Sequence, residues 1–245
     1  MRQFRLAGQN VRNTRVNLVR SGVKIRAEPY DVSFVIDRTA VMVIDMQNDF
    51  CREGGVGTLF GFDVSRTSNR AIEPARIALL AARDAGLRVI HTREGHRADL
   101  SDAPKVKLER FSRLSKTGEG IGSKTAKGRI LVRGTWNNEI IDELTPLPDE
   151  IVVDKPQASA FYQTDLEAVL TNMGLETLVF VGFATNVCVL ATIIDAFQRG
   201  YRNILLSDAC ASFIPELHEA CLKNVRYIFG FTSTTEEFIK SLAKS

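Results

Sequence analysis

What this chain has little of narrows its class. None of its apolar runs is long enough to span a bilayer, which argues against a membrane-crossing helix. The four cysteines, Cys51, Cys188, Cys210 and Cys221, form no CxxC pair and no regular spacing, and no apolar leader precedes them. Reduced thiols in the cytoplasm are the expectation. There is no internal repeat, no low-complexity segment and no convincing interior linker, so 245 residues read as one domain with a sizeable core. Acidic residues are missing altogether from the first 26 positions.

That last absence divides the charge. Arg2, Arg5, Arg12, Arg15, Arg20, Lys24 and Arg26 all lie in this stretch, while the remainder holds 25 basic against 29 acidic residues, a net of −4. The basic character therefore belongs to an N-terminal arm, residues 1–38, and not to the body at 39–245. Such an arm fits a nucleic-acid tail or an organelle-targeting segment. With few aromatics and little serine, the favoured reading is an arm lying on the body or on a neighbouring subunit, without nucleic-acid or membrane partners.

Within the body, continuous apolar runs alternate with helical periodicity. Val41 to Asp45 reads as a strand buried on both faces, ending in a carboxylate. Ser65 to Ala85 carries Ile72, Ala75, Ile77, Leu79, Leu80 and Ala82 at helical spacing and stops at Gly86. Leu87 to Thr92 is the next strand. Short strands follow at Ile130 to Val132, Ile151 to Val153, Thr177 to Val181, Asn203 to Ser207 and Arg226 to Phe229. The helices between them are expected near 139–144, 164–173, 185–199, 215–224 and 236–242. This order predicts an α/β fold: a doubly wound, mostly parallel sheet of about six strands with helices on both faces. Residues 93 to about 129 lose the pattern, and a loop of that length is a candidate cover for a site.

Three reactive side chains fall at or just past the carboxyl ends of these strands: Asp45, Lys155 and Cys188. That edge of an open α/β sheet is where ligands bind. Leu178 to Leu190, LVFVGFATNVCVL, delivers Cys188 to the first turn of a helix, where free N–H groups and the helix dipole favour thiolate. Taken singly, each residue has a bland reading: a buried small hydrophobe, a loop-fixing carboxylate, a solvated strand end. Together they form a set in which Asp45 takes the thiol proton and Lys155 tunes both neighbours.

The run VIDMQNDF, then DKPQASAFYQTDL, then GFATNVCVLAT resembles the isochorismatase-like cysteine hydrolases over roughly Ala40 to Leu242. The resemblance implies Cys188 as nucleophile, Asp45 as proton-transferring base and Lys155 as stabilising cation. It also implies a cis peptide at Phe183–Ala184 that turns the Ala184 and Cys188 N–H groups into an oxyanion hole. A thiol at this position favours cofactor-free amide hydrolysis through a thioester, in a homodimer or homotetramer acting on a small ureido or amide compound.

Two substrate signals compete. HTREGHRADLSD and GRILVRG resemble biuret and triuret hydrolases, whereas TWNNEIIDELTPLPDEIV and NVRYIFGFTSTTEEF resemble ureidoacrylate amidohydrolases. Ala158 and Val225 stand where biuret hydrolases carry polar residues, which tilts the expectation toward a ureido acid. Arg93, Arg97 and Arg133 are candidate carboxylate partners, and Asn48, Phe50, His96, Phe161 and Tyr162 candidate pocket residues. Glu94, His96 and Asp102 lie near the positions at which nicotinamidases hold a metal. A single histidine there makes a weak site, and no metal or other cofactor is expected. A non-hydrolytic thiol redox protein, with Cys210 or Cys221 as the second sulfur, is the alternative from another class.

Overall fold

A computed structural model describes residues 22–243. In chain order its strands are β1 (Val23–Ile25), β2 (Val32–Phe34), β3 (Thr39–Ile44), β4 (Arg88–Glu94), β5 (Ile151–Lys155), β6 (Thr177–Phe183), β7 (Arg202–Ala211) and β8 (Phe231–Ser233). The helices are α1 (Asn48–Cys51), α2 (Val56–Leu59), α3 (Ile72–Asp84), α4 (Lys105–Leu114), α5 (Leu166–Asn172), α6 (Leu190–Gln198), α7 (Pro215–Asn224) and α8 (Thr235–Leu242). No helix among the described residues is long and apolar enough to cross a membrane.

Six strands make one parallel sheet in the order β5-β4-β3-β6-β7-β8, with a separate β1–β2 hairpin beside it. Every residue of β3 and of β6 is buried, as their almost wholly apolar composition after an initial threonine requires of strands covered on both faces. From β3 the chain winds outward one way through β4 and β5, then returns to β6 and winds the other way through β7 and β8. The strand order thus reverses between β3 and β6, where an open sheet leaves a crevice at its carboxyl edge. One apolar layer, including Val41, Val43 and Leu79, packs on one face, and another, including Met42, Phe180 and Ile193, packs on the other.

The α/β fold and its doubly wound parallel sheet are as expected, and four local expectations are corrected. Ile130 to Val132 is not a strand. Leu131 adopts a left-handed φ of 48°, and its N–H donates to Asp49 Oδ2 at 2.7 Å, so this buried apolar segment is a tight turn. Arg226 to Phe229 is a π-helical turn continuing α7, and the last strand starts only at Phe231. The expected helix at 139–144 is reduced to one short 3-10 turn, Asp142–Leu144, with another, Trp136–Asn138, just before it. The stretch from 93 to 129 carries α4, a highly charged helix without a buried residue that rests Leu108 and Phe111 on the core.

The N-terminal region also holds structure that charge alone concealed. Val23 and Ile25 are buried, β1 pairs antiparallel with β2, and Phe34 packs against Phe238 of α8 at 6.4 Å. Glu28 and Thr232 exchange two backbone hydrogen bonds, and Ser233 Oγ donates to Arg26 O at 2.6 Å. From residue 22 onward the arm therefore lies on the body. Arg2, Arg5, Arg12, Arg15 and Arg20 lie outside the described residues.

Candidate active site

The carboxyl ends of neighbouring strands bring four functional groups together. β5 ends in Lys155, its register partner on β4 is Glu94, Asp45 follows β3, and Cys188 lies in the turn after β6. Lys155 Nζ is 2.7 Å from Asp45 Oδ2 and 3.1 Å from Glu94 Oε2, and it donates to Gln157 O at 2.9 Å. The Cys188 thiol donates to Glu94 Oε2 at 3.0 Å. Thr92 Oγ1 donates to the second Asp45 oxygen at 2.6 Å. All of these groups are buried.

The backbone beneath them is built tightly. Asp45 has a left-handed φ of 47°, a conformation that costs a non-glycine residue on the order of 1–3 kcal/mol. Its N–H donates to Thr92 Oγ1 at 3.1 Å, so Thr92 holds both ends of the residue. On the adjoining strand Gly182 pairs with Ile44 at a φ of 123°, and a Cβ there would meet Ile44 O at 2.1 Å. β6 then passes through a cis Phe183–Ala184 peptide into the π-helical turn Thr185–Val189, which leads directly into α6. The N–H groups of Val187 and Val189 both donate to Ala184 O, and Cys188 O accepts from Thr192 Oγ1 at 2.7 Å. Gln47 pins Glu94 in turn: its Nε2 donates to Glu94 O and its Oε1 accepts from Glu94 N.

The electrostatics follow from burial and from charge sharing. Burial works against a charged Glu94, yet Lys155 and Lys107 together hold it well below the usual carboxylate range. Asp45 is raised, chiefly by burial and with the Glu94 charge adding, despite Lys155. Burial disfavours the Lys155 ammonium, but Asp45, Cys188 and Glu94 outweigh it and keep the group charged. For Cys188, burial pushes the thiol well above its usual range and Glu94 pushes the same way. The expected thiolate is thus corrected to a resting thiol: the favourable helix start is outweighed by a dry site and an adjacent anion.

The covering stretch contributes Lys107, which sequence reading missed. From α4 its Nζ reaches Glu94 Oε1 at 2.7 Å and donates to Pro156 O at 2.7 Å. Asp45, Glu94 and Cys188 are also the one grouping among the described residues with metal-ligating spacing. The Lys155 ammonium already contacts both carboxylates there, so a divalent ion would face a fixed positive charge at close range.

The other candidates disperse. His96 is buried near the cluster, with Nδ1 3.3 Å from Asp102 Oδ1. Phe50 packs on Phe183 at 5.8 Å, and Asn48 Nδ2 donates to Trp136 O, both from α1, the short helix that follows Asp45. Arg93 alternates away from Glu94 along β4 and forms a two-bond pair with Asp154. Phe161 packs under Tyr201 and the Arg199 guanidinium, and Tyr162 is 54% exposed. Phe161 shares the apolar layer to which Cys188 belongs. Arg97 faces Asp99, and Arg133 Nε donates to Gly95 O.

A cysteine, an aspartate, a glutamate and a lysine thus meet at the switch point of a parallel α/β sheet. Residues 39–237 match the Isochorismatase domain, and the chain belongs to that family. It is 36% identical over 222 residues to the ureidoacrylate amidohydrolase RutB of Acinetobacter baylyi, covering 90% of each chain. Among solved structures it resembles a cysteine hydrolase from Pseudomonas syringae, with a TM-score of 0.73 and 31% identity over 86% of this chain and 95% of that one. It also resembles the N-carbamoylsarcosine amidase of Thermoplasma acidophilum, with a TM-score of 0.61 and 25% identity over 81% and 97%.

Proposed function

We propose that this chain is a cysteine amidohydrolase that cleaves a C–N bond of a small ureido acid, of the ureidoacrylate type named in its relatives, through a thioester. The observation that carries the reading is a thiol bonded to Glu94 and an ammonium bridging Glu94 and Asp45 at the sheet's switch point. Asp45, raised above the usual carboxylate range, is the better proton acceptor of the two carboxylates. In the proposed reaction the Cys188 S–H bond breaks, its proton passes to Asp45, and the sulfur electron pair forms a C–S bond at the substrate carbonyl. The carbonyl π pair moves onto oxygen, held by the Ala184 and Cys188 N–H groups. Asp45 then returns the proton to the leaving amine. Water deprotonated by Asp45 opens the thioester and regenerates the thiol. Lys155 stabilises the charge that alternates between Asp45 and sulfur. A general base and an oxyanion hole each contribute about a hundredfold or more in rate.

Ammonia release from ureidoacrylate, 3-ureidopropionate, biuret, triuret, N-carbamoylsarcosine and nicotinamide tests the reading. Turnover of a ureido acid that disappears in Cys188→Ala is the expected result. Inactivity of the wild type on every compound overturns it.

A further inference from the structure

The reaction proposed above uses Asp45, Lys155 and Cys188 and leaves Glu94 without a part, although Glu94 is the group bonded to the thiol. Both Asp45 oxygens are engaged, one by Thr92 and one by Lys155. The S–H instead points at Glu94 Oε2, which also lies 3.1 Å from Lys155 Nζ, while Lys107 from the covering helix holds Oε1. A thiol is a weak donor for a buried carboxylate, and an N–H in its place makes a far stronger bond. Beside Glu94, His96 is buried with its Nε2 lacking a hydrogen-bond partner among the described residues. The site thus holds a carboxylate oxygen shared between the Lys155 ammonium and a weak S–H donor.

We propose that Glu94 selects the substrate: a carbonyl flanked by nitrogen on both sides places an N–H on Glu94 Oε2 in place of the Cys188 S–H, and the freed thiol attacks that carbonyl. The inference rests on the amidohydrolase reading. When carbon bonds to Sγ, its other substituents are the substrate atoms nearest to whatever touched Sγ, so an acceptor in contact with the thiol reads the group next to the carbonyl. Glu94 remains an anion throughout and takes no proton. The released S–H turns to Asp45, whose carboxylate lies within 4.8 Å of both Sγ and Glu94. A methylene in the flanking position donates nothing and leaves Glu94 Oε2 to Lys155 alone, one hydrogen bond short, a loss that counts against the analogue.

Two isosteric pairs test this: 3-ureidopropionate against glutaramate, and biuret against malonamide, each differing by N–H for CH2 beside a carbonyl. Wild-type kcat/KM is expected to favour the ureido member by at least about a hundredfold, against the intrinsic order, because a urea carbonyl is the less electrophilic. In Glu94→Gln the side-chain amide directs its oxygen to Lys107 and a donor toward the thiol, and the preference is expected to fall at least about tenfold. Equal use of both members by wild type, or an unchanged preference in a folded Glu94→Gln variant, overturns the selection while leaving the hydrolase intact. The wild-type comparison stands even where the variant does not fold. Hydrolysis of no member of either pair, together with inactivity on the wider panel, overturns the amidohydrolase reading and this inference with it.

Discussion

Lys155 shows how much of this protein rests on single residues. It is fully buried between Asp45 and Glu94, and replacing it with methionine leaves two carboxylates in a dry site with one ammonium, from Lys107, to share. Breaking such an arrangement costs about 3–5 kcal/mol. Protonation relieves the repulsion, so the folded-state carboxylate titrates above its unfolded value and stability is lost as pH rises. Urea denaturation of Lys155→Met is therefore expected to show a larger deficit at pH 8 than at pH 5, and equal deficits would refute the account. Asp49 offers a second titration. Burial lifts it to about 7, against the pull of the Leu131 N–H and Asn137. The folded chain keeps a proton that the unfolded chain releases near pH 4, so this residue's contribution is present below that pH and lost as pH rises through about 7. In Asp49→Asn the change in denaturation midpoint between pH 5 and pH 8 should contract; an unaltered change would mean that other groups set it. Asp45, Lys155 and Cys188 were legible in the sequence because each lies at or just past the end of an apolar run whose direction fixes its place. Glu94 closes a run too, but its neighbours His96 and Asp102 drew it toward a metal-site reading. Lys107, one cation in a helix full of them, carried no pattern that distinguished it.

At the scale of elements, the meeting of β3 and β6 sets the geometry of the site. Gly182 lets the two backbones approach beside Asp45, and its Cβ-free, left-handed conformation has no substitute among L residues. Gly182→Ala is expected to cost about 3 kcal/mol. For a chain of this size that lowers Tm by roughly 6–12 °C, readable by calorimetry, and an unchanged Tm would show that β6 yields freely. Elements were legible where burial was two-sided, as in β3 and β6, since both faces then demand apolar residues. Legibility failed where apolar residues pack without pairing. Ile130, Leu131 and Val132 are buried in a turn held by Asp49, and residues 225–229 continue a helix, leaving Tyr227 and Ile228 exposed. α4 escaped notice for the opposite reason: a helix with no buried residue has no apolar stripe long enough to read.

At the scale of the molecule, the sheet order followed from the alternation of strands and helices, but the β1–β2 hairpin did not. Its basic surroundings masked a two-sided pattern in which Val23, Ile25, Val32 and Phe34 face inward. The hairpin joins the first described residues to α8 and to β8, closing the fold near both of its ends. Ile25→Ala is expected to destabilise the whole domain by about 2–5 kcal/mol in equilibrium unfolding. A loss confined to proteolysis of the hairpin, with the global midpoint unmoved, would show that it docks without contributing.

The pairing of Lys107 and Lys155 with Glu94 and Asp45 reaches beyond the fold. Two ammonium and two carboxylate groups within a few ångströms cancel, and the field of such a cluster dies away over a shorter distance than that of a single charge. For a ureido acid of the proposed kind, this cluster therefore adds no long-range attraction of its own.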